Sequence, residues 1–582
     1  MKKYICNPLN LEYRYQIKQT VMCEAGVFRE AADPTMLLFN DTYYMFASMS
    51  GGFWYSDDLY DWNFKETPEL PIFDYAPDVC AVNGKVIFSA SRAGEPCTFY
   101  VSANPLTEPF AAVSTPFQFW DPHTFQDDDG RVYFYWGCTN QEPIWGLEMN
   151  PETFLPIGEK VAIIGENEAA HGWERGGENN RLAPPKTEMD KKIREHLGTK
   201  PFIEGAFMNK HNGKYYMQYA APATECNVYA DGVYVGDSPL GPFTYQAHNP
   251  FSYRPGGFIT GAGHGSTFRD KSGSWWHAST MRISVNEGFE RRIGLFPCDF
   301  DTNGIMWCNQ HFADYPYALP EGVRRDIDRT APDWALLSYN KRVSASSYQT
   351  DYEPGNGANE DIRTWWAADE TDKDAWYQMD LGSICDVNAV QLNFADHKLP
   401  LPEGWQDNAH STMMEKRVIL TKPQRTVFLL EGSADGETWQ TLKDRRGGET
   451  DYTHDFICFD APLKLRYLRV SYMSLAMNGV PAISGLRVFG KGNGSAPEAV
   501  TSIKAIRTEE GLDAKLCWDS ISGADGYNVR FGIAEDKLYN SWQVFGKNEL
   551  ILSALNKDSG YFIAVDSFNE NGVTEGKINF IK

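Results

Sequence analysis

The chain has 582 residues, with 54 Lys and Arg against 78 Asp and Glu, and a formal net charge of −24. So acidic a composition argues against nucleic acid and anionic membrane as partners, because both require basic patches. Aromatic residues make up 14% of the chain, which suits an all-β protein. The 11 cysteines fall without metal-type or small-scaffold spacing and read as buried free thiols of a reducing compartment. MKKYICNPLNLEYRYQ at the N-terminus lacks an apolar h-region, and no stretch of about 18 apolar residues occurs. The expectation is a cytoplasmic protein with no membrane span, although a chain whose leader had been exchanged for Met reads the same.

The length predicts three or four domains. Residues up to about 25 are polar and are expected to wrap the first domain. A repeating unit then begins. ADPTMLLFNDTYYMFAS carries Asp33 ahead of a turn at Asn40-Asp41, and YAPDVCAVNGKVIFSAS carries Asp78 ahead of Asn83-Gly84. WDPHTFQDDDGRVYFYWG carries Asp121 ahead of Asp129-Gly130. PFIEGAFMNKHNGKYYMQYA carries Glu204 ahead of Asn212-Gly213, and GAGHGSTFRDKSGSWWHAS carries His264 ahead of Ser272-Gly273. Each is a hairpin signal, since Asn, Asp and Gly accept the positive φ angles of tight turns. Each has one polar residue several positions ahead of its turn. VSANPLTEPF and VGDSPLGPF, near copies, mark the outer part of the same repeat. A period of this size suggests propeller blades. Radial packing of five such units brings the five polar positions to one axis.

The stretch from Gly158 to Pro201 interrupts this rhythm; its second part predicts a short helix, and His171, Trp173, Glu174 and Arg175 are candidates to reach over the axis. Arg291 and Arg292 are adjacent in a strand and point to opposite faces, one toward the axis and the other toward solvent. A linker rich in Pro and charge ends near residue 334, and a second linker, GNGSAPEAV, follows near residue 492. The predicted organisation is therefore an all-β chain. A five-bladed β-propeller spans residues 1–327, and two further domains span 335–492 and 497–582. The domain at 335–492, with a linker on each side, is expected to keep its own strands and to stay apart from the axial residues.

Glu204 stands among Phe202, Ile203, Ala206 and Phe207. A lone carboxylate there is costly to bury ionised, which favours the protonated form that a general acid needs. Asp33 and Asp121 each precede a proline, so each also reads as a simple turn residue. Asp78 is a candidate for substrate contact or a turn cap. Trp54, Phe73, Trp120 and Trp136 are candidates for a stacking platform, Trp120 first because it adjoins Asp121. Asp127-Asp128-Asp129-Gly130 lacks the alternating ligands and closing Glu of an EF-hand and reads as a turn.

Asp33-Pro34, Asp121-Pro122 ahead of the Asp-Asp-Gly turn, Glu204-Gly205 ahead of Asn-Gly-x-Tyr-Tyr, and Gly263-His264-Gly265 occur in that order. This set resembles glycoside hydrolase family 43, five-bladed propellers that are inverting glycosidases, over about residues 25–320. The resemblance implies Asp33 as general base, Glu204 as general acid and Asp121 as the group that tunes and orients the acid. It implies an axial Arg, with Arg291 the better placed of the pair. It also places His264 near the axis, reaching a structural Ca²⁺ through water, with no cofactor required for the chemistry. The implied partner is an oligosaccharide or polysaccharide, hydrolysed as by an exo-acting β-xylosidase or α-L-arabinofuranosidase. Galactofuranosides or galactan on the same scaffold are the alternative substrates. A non-catalytic carbohydrate-binding protein and an adhesion module are the alternatives of another class. NKRVSASSYQ, WYQMDLG, FLLEGSADGETW and LRYLRVSYM resemble a discoidin-type (F5/8 type C) sandwich, in which Asp361 matches a residue that supports a Ca²⁺ site. LCWDSISGADGYNVRFG and SGYFIAVDSFNENG resemble a fibronectin type III sandwich.

Overall fold

The computed structural model describes every residue except 1, 22, 73, 93, 325 and 412–414. Phe73, one of the platform candidates, therefore lies outside the described residues. Five four-stranded antiparallel meanders follow one another along the chain. Their first strands are Thr35–Phe39, Asp78–Val82, His123–Gln126, Glu204–His211 and Thr260–Arg269. The turns are those that the Asn/Asp/Gly pairs dictate, with positive φ at Asn40, Asp41, Asn83, Gly84, Gly130, Asn212, Gly213 and Gly273. The fourth meander carries a fifth short strand, Ser252–Tyr253.

The first strands adjoin in a closed ring, each beside the next and the fifth back beside the first. Side chains at the strand starts fasten this ring. Thr35 Oγ1 donates to the Pro77 carbonyl at 2.9 Å, the Thr124 amide donates to Asp78 at 2.7 Å, and the Met36 amide donates to Ser266 at 2.9 Å. A hydrophobic layer fills each junction between neighbouring sheets. Phe46, Phe53 and Phe88 lie between the first and second, and Phe99, Val132 and Phe134 between the second and third. Tyr135, Met208 and Met217 lie between the third and fourth, and Val233, Met281 and Phe296 between the fourth and fifth. Met45, Trp54 and Trp276 close the circle. Alternation along each strand supplies this layer, and each fully buried large side chain contributes about 1.5–3 kcal/mol.

The chain is nearly all-β. Among the described residues the one α-helix is Glu188–Leu197, within the predicted insertion. No helix among the described residues is long and apolar enough to cross a membrane. All 11 cysteines are free. The candidates in the first half of the insertion do not reach over the axis. His171 pairs with Glu174 at 2.8 Å and bridges to Asn556, and Arg175 binds Asp513 at 2.7 Å. They fasten the insertion to the C-terminal strands instead.

After the linker, Ala335–Leu336, Ala482–Lys491, Tyr377–Phe394, His454–Ser474, Val427–Ser433 and Gln440–Asp444 pair in that order around a core that includes Trp366, Tyr377, Phe428 and Val470. This domain does not keep all its strands to itself. His410–Ser411 and Glu415–Ile419 leave it and pair with each other, and Glu415–Ile419 pairs with Tyr15–Thr20, which pairs in turn with Gly26–Arg29. The edge of that N-terminal hairpin offered unpaired backbone donors and acceptors, and the excursion satisfies them. The last stretch forms a three-stranded sheet (Ile503–Arg507, Ala514–Trp518, Glu549–Leu552) and a five-stranded sheet around Gly526–Gly532 and Tyr561–Asn569. Leu516, Trp518, Val529 and Val565 share one core with Trp173 and Tyr219 of the first domain.

Candidate active site

Asp33, Asp121 and His264 each sit at a left-handed backbone position, with φ of 51°, 50° and 47°. That conformation is uncommon outside glycine, tolerated best by Asp, Asn and His, and turns the side chain at the mouth of each inner strand toward the axis. The local sequence also supplies the anchors. The Asp33 amide donates to Thr280 Oγ1 at 2.8 Å, and the Asp121 amide donates to Ser91 Oγ at 2.8 Å. Ser48 donates to Asp33 Oδ2 at 2.6 Å. Ser48 and Ser91 each lie two residues past the second strand, Thr42–Phe46 and Lys85–Ser89, of consecutive meanders.

Asp33, Asp121 and His264 line a cavity of about 410 Å³ together with Trp120, Cys138, Glu204 and Arg291. Tyr75, Phe202 and Phe289 complete its aromatic walls. Ligand atoms of Asp121, Glu204 and His264 lie within 4.8 Å of one another. Glu204 Oε1 accepts a short hydrogen bond from the Tyr229 hydroxyl, and Glu204 Oε2 accepts from the Cys138 thiol at 2.9 Å. Arg291 Nη1 donates to Asp33 Oδ1 at 3.3 Å and to Thr224 Oγ1 at 3.0 Å, and its other nitrogens bind Glu30. His264 Nδ1 stands 3.4 Å from Asp33 Oδ1 and 3.7 Å from Asp121 Oδ2. Its loop is pinned by Asp231, which accepts the His264 amide at 2.7 Å. Gly205, at φ +62°, makes room for the imidazole: a Cβ there would stand 2.7 Å from His264 Cγ. Gly263 does the same for Tyr229.

The electrostatics separate the acids. Burial alone would raise Asp33, but Arg291, His264 and the hydrogen bonds from Ser48 and Thr280 outweigh it and hold the carboxyl below its ordinary range. Asp121 is pushed up to about 8, by burial first and then by the charges of Glu204 and Asp33. The raised carboxyl is thus that of Asp121, beside Glu204 in the same cavity. Burial disfavours the His264 imidazolium, yet Asp33, Asp121, Glu204 and Asp231 together raise its pKa.

The other sequence candidates lie elsewhere. Asp78 is buried and staples the second sheet to the third, accepting from His123 Nδ1 at 3.0 Å and from the Thr124 amide; it does not line the cavity. Arg292 points away and is not solvated: it is buried, with Nε donating to His454 Nε2 at 3.0 Å. Trp54 is buried in the junction of the fifth and first sheets. Trp136 packs on Phe117 and Phe134. Asp361 is exposed and caps a turn, accepting the Arg363 amide at 3.0 Å. Among the described residues it joins no group of metal-type ligands. Asp121, Glu204 and His264 are spaced as a group that could hold an ion, the two carboxylates offering the oxygen ligands that Ca²⁺ takes and His264 meeting it through water. Cys138, Tyr229, Tyr75, Glu30 and Thr224 were not found from sequence.

Residues 27–306 match the model of glycosyl hydrolases family 43, and residues 355–470 match that of the NedA-like, galactose-binding domain. A xylosidase/arabinosidase of Bacteroides ovatus is 31% identical over 135 residues, covering 22% of this chain and 39% of that protein. A beta-xylosidase of Xylanibacter ruminicola is 33% identical over 135 residues, with the same shares. The chain thus spans about 39% of the length of these curated relatives. A solved thermostable family-43 glycoside hydrolase aligns with a TM-score of 0.42 and 23% identity, covering 55% of this chain and 99% of that one. The chain therefore carries a glycosyl hydrolases family 43 domain over residues 27–306, followed by a galactose-binding domain of the F5/8 type C kind.

Proposed function

We propose that the protein is an inverting exo-glycosidase that removes pentose units from xylose- or arabinose-containing plant oligosaccharides. The observation that carries this reading is the convergence of Asp33, Asp121 and Glu204 in one aromatic cavity, with the proton affinities of Asp33 and Asp121 pushed apart. Asp33, kept ionised by Arg291 and His264, takes a proton from a water as that water attacks the anomeric carbon. Glu204 gives a proton to the leaving oxygen as the glycosidic bond breaks. Asp121 shares the proton with Glu204 and keeps it available at neutral pH, since two carboxylates so close cannot both ionise cheaply. Trp120, Tyr75, Phe202 and Phe289 offer stacking faces for the sugar ring. The printed activities of the relatives, xylosidase and arabinosidase, support the pentose. No step draws on a metal.

The five meanders are read as the blades of a five-bladed propeller within residues 1–327. Residues 335–492 are read as the galactose-binding sandwich, and residues 497–582, with their three- and five-stranded sheets, as a fibronectin type III-like sandwich. Nitrophenyl xyloside, arabinofuranoside and galactofuranoside, assayed with the native chain and Asp33→Asn, test the function. Release from the first or second, abolished in the variant and yielding the inverted anomer by NMR, is the expected result. Release from galactofuranoside alone reassigns the substrate, and binding without release on all three makes the protein a carbohydrate-binding one.

A further inference from the structure

One buried cation beside the cavity comes from the wrong domain. Arg417 belongs to the galactose-binding domain by sequence, yet the strand Glu415–Ile419 lies in the N-terminal sheet, with Arg417 opposite Lys18. The neighbouring strand there, Gly26–Arg29, leads directly to Glu30 and Asp33. Arg417 is 1% exposed. Its Nη2 donates to the Tyr75 hydroxyl at 3.3 Å, and its Nη1 donates to the Asp74 carbonyl at 3.3 Å. Its guanidinium stands 5.1 Å from the centre of the Tyr75 ring, and Glu415 balances its charge at 2.5 Å. Lys18 adds a second donor to the same hydroxyl at 3.3 Å. Arg291, the partner of Asp33, stands 5.6 Å from the centre of the same ring. Tyr75 is thus held between a cation of the site and a cation of the second domain, and it forms part of the cavity wall.

Two further ties cross between the same domains next to the same strands. Arg29 binds Asp396 at 3.1 Å and Asp451 at 2.5 Å, and Arg292 binds His454. All of these groups are buried. A buried arginine with this many fixed partners is costly to hold anywhere else, so the register between the two domains is set at the wall of the cavity.

We propose that Arg417 is a positioning residue for the sugar: the galactose-binding domain lends a strand and this guanidinium to fix the Tyr75 wall, and the two domains form one catalytic unit. The inference rests on the glycosidase reading above. Loosening Tyr75 weakens the seat of the ring in ground and transition state alike, so its signature is a raised KM with a smaller change in kcat.

The test uses the full chain and Arg417→Ala, Arg417→Lys, Tyr75→Phe and the Arg417→Ala/Tyr75→Phe double variant on nitrophenyl xyloside and arabinofuranoside. Arg417→Ala is expected to raise KM about tenfold, within the range seen when a supporting contact behind a ligand is lost. Good and poor leaving groups are expected to suffer equally, because Glu204 is untouched, and Arg417→Lys is expected to recover part of the loss. The double variant is expected to be no worse than Arg417→Ala. Denaturant midpoints of the same four proteins give the Arg417–Tyr75 coupling without substrate. An unchanged KM in Arg417→Ala, effects that simply add, or midpoints without coupling each overturn the proposal. A native chain silent on every glycoside overturns the function itself, and the proposed role with it.

Discussion

The Cys138 thiol lies 2.9 Å from Glu204 Oε2, and on the other side of that carboxyl Oε1 takes the Tyr229 hydroxyl. Burial, followed by the charges of Glu204 and Asp121, pushes the thiol well above its ordinary range, so it stays S–H and donates. A donor to a carboxylate favours the ionised form. The same thiol lowers Asp121, so Cys138→Ala is expected to raise the proton affinity of Asp121 further, moving the alkaline limb of kcat/KM to higher pH, while Cys138→Ser holds it near its native place. The same chemistry makes Cys138 slow to react. In mass spectrometry after iodoacetamide at neutral pH, exposed Cys23 is expected to be labelled well before Cys138, and equal labelling would contradict a protonated thiol.

The pH profile follows from the opposed shifts. The reaction needs Asp33 ionised and one proton on the Asp121–Glu204 pair. Asp33 is held below its ordinary value of 3.8, so the acid limb is expected below the usual carboxylate range. Asp121 is raised to about 8, so activity is expected to fall as pH rises through that value. Asp121→Asn removes the neighbouring charge that retains the proton and is expected to bring the alkaline limb down.

Stability falls in the same direction of pH for this group. Asp121 binds its proton more tightly folded than unfolded, since its pKa is raised from 3.8 to about 8. The associated stability is complete below the unfolded value and is lost as pH rises toward the folded one. Asp121→Asn is thus expected to melt higher than the native protein at pH 8 while losing activity. A lower melting temperature there would mean that the carboxyl is not strained by its burial.

Glu204→Gln is expected to lower turnover by at least about a hundredfold on poor leaving groups, the typical loss for a general acid. Nitrophenyl substrates with very good leaving groups are expected to lose less, because they need little protonation. Asp33→Asn loses both alike, since the attacking water needs its base whatever leaves. Equal losses on both substrate types with Glu204→Gln would take Glu204 out of the acid's role.

His264 and Gly205 form a pair whose coupling is steric. His264→Ala removes a positive neighbour of Asp33, so the acid limb is expected to move to higher pH, with a loss of turnover on the order of ten to a hundredfold. Gly205→Ala places a methyl 2.7 Å from His264 Cγ at a backbone angle that L-residues rarely adopt, and is expected to displace the ring and reproduce much of that loss. A fully active Gly205→Ala protein would show that the imidazole's position does not matter to the reaction.

Much of this protein is written locally. Asn-Gly and Asp-Gly pairs fix the hairpins because their backbone angles are set by the residues themselves. Strand alternation fixes which faces become the layers between sheets, and the polar residue ahead of each turn marks the end of an inner strand. Asp33, Asp121, Glu204 and His264 were legible for that reason. Alternation also dictated that Arg291 and Arg292 face opposite ways. Only the folded ring decided that Arg291 meets Asp33 and Glu30, while Arg292 meets His454 of another domain. Cys138 reaches Glu204 across 66 residues of chain and Arg417 reaches Tyr75 across 342, and neither pairing leaves a periodic trace. The proton affinities belong to the same class. A carboxyl's pKa is set by what surrounds it and how little water remains, and at Asp33 and Asp121 those surroundings are assembled from several sheets at once.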